Sequence, residues 1–334
     1  MAELHWINLN TTDPAFNLAA EQYIFDCLPR DRAYFMLWQN DNAVIIGKYQ
    51  NTQAEIDENY VAQHGIRVVR RLSGGGAVYH DLGNLNFTFI ADAGDMEKLN
   101  MRVFCEPIVA VLRGLGIPAE INGRNDMTIE GRKFSGNAQY MRGGRIMHHG
   151  TLMFQSDLSV LTNALRVEPG KIESKGMKSV RSRVTNIGDY ITDGTGLEEF
   201  RCRLITEIAE KNGGEEYRFT DADIKAIEEI RNSRYARWDW NFGKSPAGVM
   251  KREMRIPGCG KVEAYIETEH GLISSVEFRG DFFSTKEPSE LAEKFIGRTP
   301  DEAGFRAALD SMEVSDYFKG MDRESMLALL SGEF

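Results

Sequence analysis

Two strand-like runs, GIRVVRR (Gly65–Arg71) and LNFTFIA (Leu85–Ala91), bracket the segment LSGGGAVYHDLGN. Glycine loses more backbone freedom on folding than any other residue. A chain therefore keeps three in succession only where the backbone must take a shape that side chains forbid. The surroundings decide which shapes remain. A GxxxxGK[ST] phosphate loop is absent, and a strand rather than a helix follows the glycines, which excludes the dinucleotide fingerprint. What is left is a strand–turn–strand unit whose free N–H groups can form an anion-binding nest. Arg70 and Arg71 stand beside it, able to meet a carboxylate or phosphate bidentately. A glycine-rich bulge at a sheet edge is the competing reading.

The charge balance favours a small anion. The 334-residue chain carries a net charge of -10, whereas duplex-binding proteins draw their affinity from basic surfaces. No nucleic-acid partner is expected. Arginine is nevertheless concentrated locally, at Arg67, Arg70 and Arg71, at Arg142 and Arg145, and at Arg181 and Arg183. No apolar run approaches the ~18 residues that suggest a membrane span, and the start, MAELHWINLN, lacks a basic-then-apolar signal pattern. The expectation is a cytoplasmic protein without a membrane partner. Cys27, Cys105, Cys202 and Cys259 form no CxxC and no Cys/His metal spacing,. They read as structural thiols in a reducing compartment.

The pattern along the chain is mixed. Asp13-Pro14 is an N-cap followed by proline at the first helical position, so the apolar spacing of residues 14–28 predicts an amphipathic helix. AYFMLW (33–38) and AVIIGK (43–48), separated by a turn-rich QNDN, predict a hairpin. Residues 101–115 read as a helix interrupted by Pro107. Residues 127–155 carry tight turns at Gly131-Arg132 and Gly143-Gly144, which predicts a three-stranded meander. Helices follow at 197–211 and 221–234, the second capped by Thr220. Beyond WDWNFGKSPAG (238–248) the pattern restarts, with strands in KREMRIP, KVEAYIE and LISSVEF and helices in PSELAEKFIG, DEAGFRAAL and ESMLALL. The expected division is a catalytic domain of residues 1–248 and a small C-terminal accessory domain of residues 249–334.

Two further clusters bring chemistry. GRKFSGNAQY (131–140) and RIMHHGTLMF (145–154) place Lys133, Ser135, Gly136, His148, His149 and Thr151 on adjacent predicted strands. KIESKGMKSVRSRVTN (171–186) reads as a cationic loop.

Together these segments carry a resemblance. RRLSGGGAVYHDLGNLNF resembles the RRxSGGGxVxHDxGNxN signature of the lipoate–protein ligase family. KFSGNAQY resembles its KxSGxA motif, HHGTLMF its HHGTLL motif, and KGMKSVRSRVTN its adenylate-binding loop. The motifs occur in the family's order, and the likeness extends over nearly the whole chain in the two-domain form. It implies an α+β fold: a mixed sheet flanked by helices, like biotin ligases and class II tRNA synthetases, with a small α+β C-terminal domain. It also implies an acid–amino-acid-type ligase. ATP, taken as a substrate with Mg2+ and with no permanently bound cofactor, activates lipoic acid to lipoyl-AMP and pyrophosphate. The acyl group then passes to a lysine of an acceptor. The implied acceptors are lipoyl domains of 2-oxoacid dehydrogenase E2 subunits and the glycine-cleavage H protein, and octanoic acid is the other implied acid.

By the same resemblance Lys133 is the catalytic cation, bridging acyl carbonyl and α-phosphate. Arg70, Ser73, Gly74, Gly75, Gly76, Ser135, Gly136 and His149 would bind lipoate. Ala77, Val78, Tyr79, Asp81, Asn84, Lys133 and Thr151 would meet the nucleotide, and Lys178, Ser179, Val180, Arg181 and Ser182 would close over the adenylate. Asp126, beside Asn125 in GRND, would hold magnesium. Three rival activities share parts of the pattern: a transferase using preformed lipoyl-AMP, a cysteine-dependent octanoyl transferase, and a binding module that sequesters lipoate or an adenylate. The C-terminal domain is expected to move on adenylation.

Overall fold

The computed structural model describes residues 3–94, 100–123, 125–165, 183–242, 250–269 and 272–332. Strands β1 (Glu3–Asn8), β2 (Arg32–Trp38), β6 (Asn84–Asp92), β7 (Ala119–Asn122), β8 (Asp126–Ile129), β9 (Arg132–Arg142), β10 (Arg145–Met153) and β11 (Glu215–Glu216) form one sheet. Its order is β11-β1-β2-β6-β10-β9-β8-β7. The first three are parallel and the remaining pairs antiparallel, so the sheet is mixed. β8, β9 and β10 make the expected meander.

Side-chain alternation along β2 builds a core on each face. Phe35 and Leu37 pack with helices Arg102–Gly114 and Leu197–Ile208. Tyr34, Met36 and Trp38 face helix α1 (Pro14–Cys27) and Tyr235. The cap of α1 is the expected one: Asp13 Oδ1 accepts from the Ala15 N–H. Thr220 and Asp223 form a reciprocal capping box on helix Asp221–Ile230, which continues as one widened turn through Tyr235.

The predicted hairpin does not form. β2 lies inside the large sheet, whereas β3 (Ala43–Ile46) joins a second sheet of order β4-β3-β5, with β4 at Arg67–Arg70 and β5 at Val78–His80. Both runs are too apolar for a two-stranded ribbon. Each is buried throughout its last four residues and takes a pairing partner on both edges. The intervening turn folds back on α1, where Asn17 Nδ2 donates to Gln39 O at 2.7 Å and to Asn40 Oδ1 at 3.0 Å.

Residues beyond 250 build a third sheet, β12 (Met250–Ile256), β13 (Gly260–Glu269) and β14 (Leu272–Gly280), an antiparallel meander. Helices Glu302–Ala308 and Arg323–Ser331 cover it, and their core includes Phe278, Phe295, Phe305 and Leu330. Tyr49 reaches this core from the N-terminal part, its ring stacked on Phe282 at 4.7 Å. The expected boundary at 248/249 falls within 243–249, outside the described residues. Among the described residues no helix is long and apolar enough to cross a membrane.

Candidate active site

A cavity lies between the large sheet and the small one. α1 contributes Leu18, β2 Trp38, and β3 Ile45; the glycine turn contributes Arg71, Gly75, Gly76 and Ala77. β5 adds Val78 and His80, and β9 and β10 add Lys133, Gly136, Asn137, Ala138, His149, Gly150 and Thr151. Asn86, Asn125 and Phe283 complete the wall. One end is therefore apolar, and the other carries a cation and small polar groups.

Lys133 is set by its strand and by the space around it. Its backbone N–H donates to Arg183 O at 2.7 Å, and its carbonyl accepts from the Thr185 N–H at 2.9 Å. Its ammonium lies 2.7 Å from Asp126 Oδ1. A Cβ on Gly136 would stand 3.1 Å from Lys133 Nζ, so the glycine lets the ammonium lie across the strand. Thr151 Oγ1 accepts from the Gly136 N–H at 3.0 Å, fixing the two strands at this point. Asn125 is tied to Asn137 by two backbone–side-chain bonds of 3.0 and 3.1 Å, which holds the chain entering Asp126. Asp126 and Asn125 are the polar pair available to a cation. Among the described residues no three His, Cys, Asp or Glu side chains gather around a metal position. One carboxylate fits Mg2+ arriving on a nucleotide, since that ion draws its other ligands from phosphate and water.

The three glycines serve two ends. The Gly75 N–H donates to Phe282 O at 2.9 Å, and a Cβ on Gly74 would stand 2.1 Å from that same oxygen. Gly75 also takes φ +88 with the Phe283 ring against it. These two glycines admit the C-terminal chain. Gly76 lines the cavity with nothing within 4 Å of a Cβ position, leaving its backbone open to a ligand.

Several expected ligand residues stand outside the lining, for reasons of strand alternation or prior engagement. Arg70 points away from the cavity, and its guanidinium donates to the carbonyls of Gly47, Lys48, Gln50, Trp240 and Asn241 and to Thr52 Oγ1. Arg71, one residue on, takes the inner position. Burial lowers both guanidinium pKa values to about 10, which leaves them cationic. Ser135 is fully buried, and its hydroxyl is engaged by Asn137 Nδ2. Tyr79 alternates with Val78 and His80; it packs in the cluster of Val44 and Ile46 and donates to Asn42 Oδ1. Asp81 is spent on the Gly83 and Asp157 N–H groups, and Asn84 on Asn86. Ser73 sits behind the wall, bonded to His149 and Arg71, while Gly74 abuts Phe282. Lys178, Ser179, Val180, Arg181 and Ser182 lie outside the described residues.

The wall also contains Leu18, Trp38, Ile45 and Phe283, which lie outside the motifs, and His80, a motif residue to which no role was assigned. His80 is neutral, its pKa pushed down to about 3 by burial, with Arg71 adding to the effect. No cysteine lines the cavity. Cys105 is buried and its thiol is pushed up to about 12 by burial, and Cys27 and Cys202 are exposed elsewhere.

Comparison with known proteins agrees with this geometry. The family model of the lipoyl protein ligase A/B catalytic domain matches residues 13–209, and that of the bacterial lipoate protein ligase C-terminus matches residues 245–330. The chain belongs to the lipoate–protein ligase family. It is 43% identical over 327 residues to the lipoate-protein ligase LplJ of Bacillus subtilis, covering 97% of this chain and 98% of that one. Among solved structures, a lipoate-protein ligase A bound with ATP is 28% identical with a TM-score of 0.62, covering 72% of this chain and 99% of that one. A bi-partite lipoate protein ligase of Thermoplasma acidophilum, described with its E2 lipoyl domain, is 31% identical with a TM-score of 0.66, covering 74% of this chain and 100% of that one.

Proposed function

We propose that this chain is an ATP-dependent lipoate–protein ligase that forms lipoyl-AMP from lipoic acid and MgATP and passes the lipoyl group to a lysine of apo lipoyl-domain proteins. The observation that carries this is Lys133: an ammonium in the wall of a cavity that also holds Leu18, Trp38, Ile45 and Phe283, laid over Gly136 and paired with one carboxylate, Asp126. A carboxylate is a poor electrophile; in adenylation one of its oxygens attacks the α-phosphorus, pyrophosphate leaves, and that oxygen becomes part of AMP, a good leaving group. Both half-reactions build negative charge, on the α-phosphate and then on the acyl carbonyl oxygen. A fixed cation beside those oxygens lowers both barriers, and an acid threaded past Arg71 and Gly76 is positioned for attack. Asp126 with Asn125 would receive magnesium entering with the triphosphate, releasing Lys133 from its ion pair.

In this reading Leu18, Trp38 and Ile45 take the apolar tail, Gly75, Gly76 and Gly136 the carboxyl end, and Ala77, Val78 and Thr151 the nucleotide side. Lys178 to Ser182, which lie outside the described residues, are the proposed adenylate contacts; residues 183–185 pair with Lys133. Residues 1–248 are the catalytic domain and 249–334 the accessory domain, a division supported by their separate cores. Lipoyl domains of E2 subunits and the glycine-cleavage H protein are the proposed acceptors, and the free thiols of Cys27, Cys105 and Cys202 suit the proposed cytoplasmic setting.

The test is lipoate-dependent pyrophosphate release from MgATP without acceptor. Wild type is expected to release it, and Lys133→Ala to lose ~10²-fold or more in rate. A wild type that releases none, yet modifies an apo lipoyl domain from supplied lipoyl-AMP, is a transferase confined to the second step.

A further inference from the structure

Behind the cavity wall runs a chain of buried polar groups that begins on α1. Glu21 is 1% exposed, and Thr88 Oγ1 donates to its Oε1 while accepting from Trp38 Nε1 at 2.9 Å. His149 Nδ1 lies 2.9 and 3.1 Å from the two Glu21 oxygens, and His149 Nε2 lies 2.6 Å from Ser73 Oγ. Ser73 Oγ also accepts from Arg71 Nε at 2.9 Å. Arg71 Nη2 then donates to Gly74 O at 2.7 Å and to Gly76 O at 2.8 Å.

The direction of each bond follows from its first member. Glu21 Oε1 already accepts from Thr88 and both its oxygens face Nδ1, so a neutral His149 ring places its proton on Nδ1 and leaves Nε2 an acceptor,. Ser73 must therefore donate to Nε2, which leaves its lone pairs to Arg71. Both nitrogens of His149 are engaged, so the ring serves the cavity as a wall rather than as an acid or base. The same Ser–His–carboxylate order builds nucleophilic triads. Here the serine is 1% exposed, stands outside the cavity lining and is covered by Arg71, so it is not placed for attack.

We propose that Glu21 is a positioning residue for acid activation: through His149 and Ser73 it orients Arg71, and Arg71, donating to the Gly74 and Gly76 carbonyls, in turn holds the glycine turn that walls the acid. Glu21 also acts as an opposite charge on the buried Arg71 guanidinium. The inference rests on reading the cavity as the lipoate site.

Two measurements test it. Nitrogen-15 NMR of histidine-labelled wild type, with His149 assigned by His149→Gln, is expected to show a neutral Nδ1–H ring; an Nε2–H ring would overturn the proposal. This readout needs no folded Glu21 variant. In Glu21→Gln the amide can donate to Nδ1, so the ring is expected to shift toward Nε2–H. With it, kcat/KM for lipoate in pyrophosphate release should fall, by up to ~10²-fold, while KM for ATP stays within about twofold. An unchanged kcat/KM for lipoate sinks the positioning role. Absence of release from wild type, with no modification of an apo lipoyl domain from supplied lipoyl-AMP either, sinks the reading of the cavity instead; the NMR result is independent of that and still decides whether Glu21 governs His149.

Discussion

Arg70 and Arg71 show how one step along a strand separates two roles that a motif treats as one. Arg70 satisfies five carbonyls and a hydroxyl around the end of β3, whereas Arg71 faces the cavity. Each charge-assisted bond contributes about 1.5–3 kcal/mol, and buried carbonyls left without donors add a desolvation penalty. Arg70→Met is thus expected to lower unfolding stability by at least about 3 kcal/mol. Urea denaturation measures this. KM for lipoate should stay near the wild-type value in the fraction that remains folded; a large rise in KM with unchanged stability would return Arg70 to the ligand site. The adjacency hid the distinction. Strand alternation assigns the two side chains to opposite sides, but the sequence does not say which side the cavity occupies.

Paired strands β9 and β10 carry the same lesson across an element, and they bury two neutral histidines with β5. His148 stacks on Phe104, its Nδ1 facing Gln139 Nε2 at 3.1 Å and its Nε2 facing Asn137 Oδ1 at 3.2 Å. Burial drives its pKa well below 6.5, and His80 on β5 is held down to about 3. The unfolded chain takes up a proton at each as pH drops below 6.5, and the folded chain does not. Stability is therefore complete above that value and is lost as pH falls toward His80's folded value near 3, by about 1 kcal/mol per pH unit for each ring. Unfolding between pH 6 and pH 5 should be accompanied by uptake of close to two protons from these rings, read from the pH dependence of urea midpoints. Uptake of only about one would mean that one ring is already charged when folded. The meander, α1 with its cap and helix Asp221–Ile230 were legible because period, turn residues and caps are local signals. The β2–β3 hairpin was misread because burial on both edges is a tertiary property that a pair of apolar runs does not display. Phe283 and Glu21 were invisible for the same reason: they reach the site from chain positions distant from every motif.

At the scale of the whole molecule, the C-terminal part is fastened to the glycine turn and to the segment after β3. Lys48 Nζ meets both oxygens of Glu287 at 2.5 and 2.7 Å, Tyr49 stacks on Phe282 and bonds Ser284 Oγ at 2.8 Å, and the Gly280 N–H donates to Tyr49 O at 2.7 Å. Phe283 thereby becomes part of the cavity wall. Filling that cavity with an acid and a nucleotide must act on this seam, so the C-terminal domain is expected to shift when the adenylate forms. Small-angle scattering with and without ATP plus lipoate tests the shift, and superimposable profiles would count against it.

The two glycines spent on Phe282 and Phe283 have a further consequence for how such a chain can vary. Position 74 is answerable to a segment more than two hundred residues away, position 75 to that segment and to the cavity, and position 76 to the cavity alone. In a lineage that lost or replaced the C-terminal part, selection on the first glycine would relax and selection on the other two would persist. A motif that looks like one inherited word is two, each with its own reason to survive.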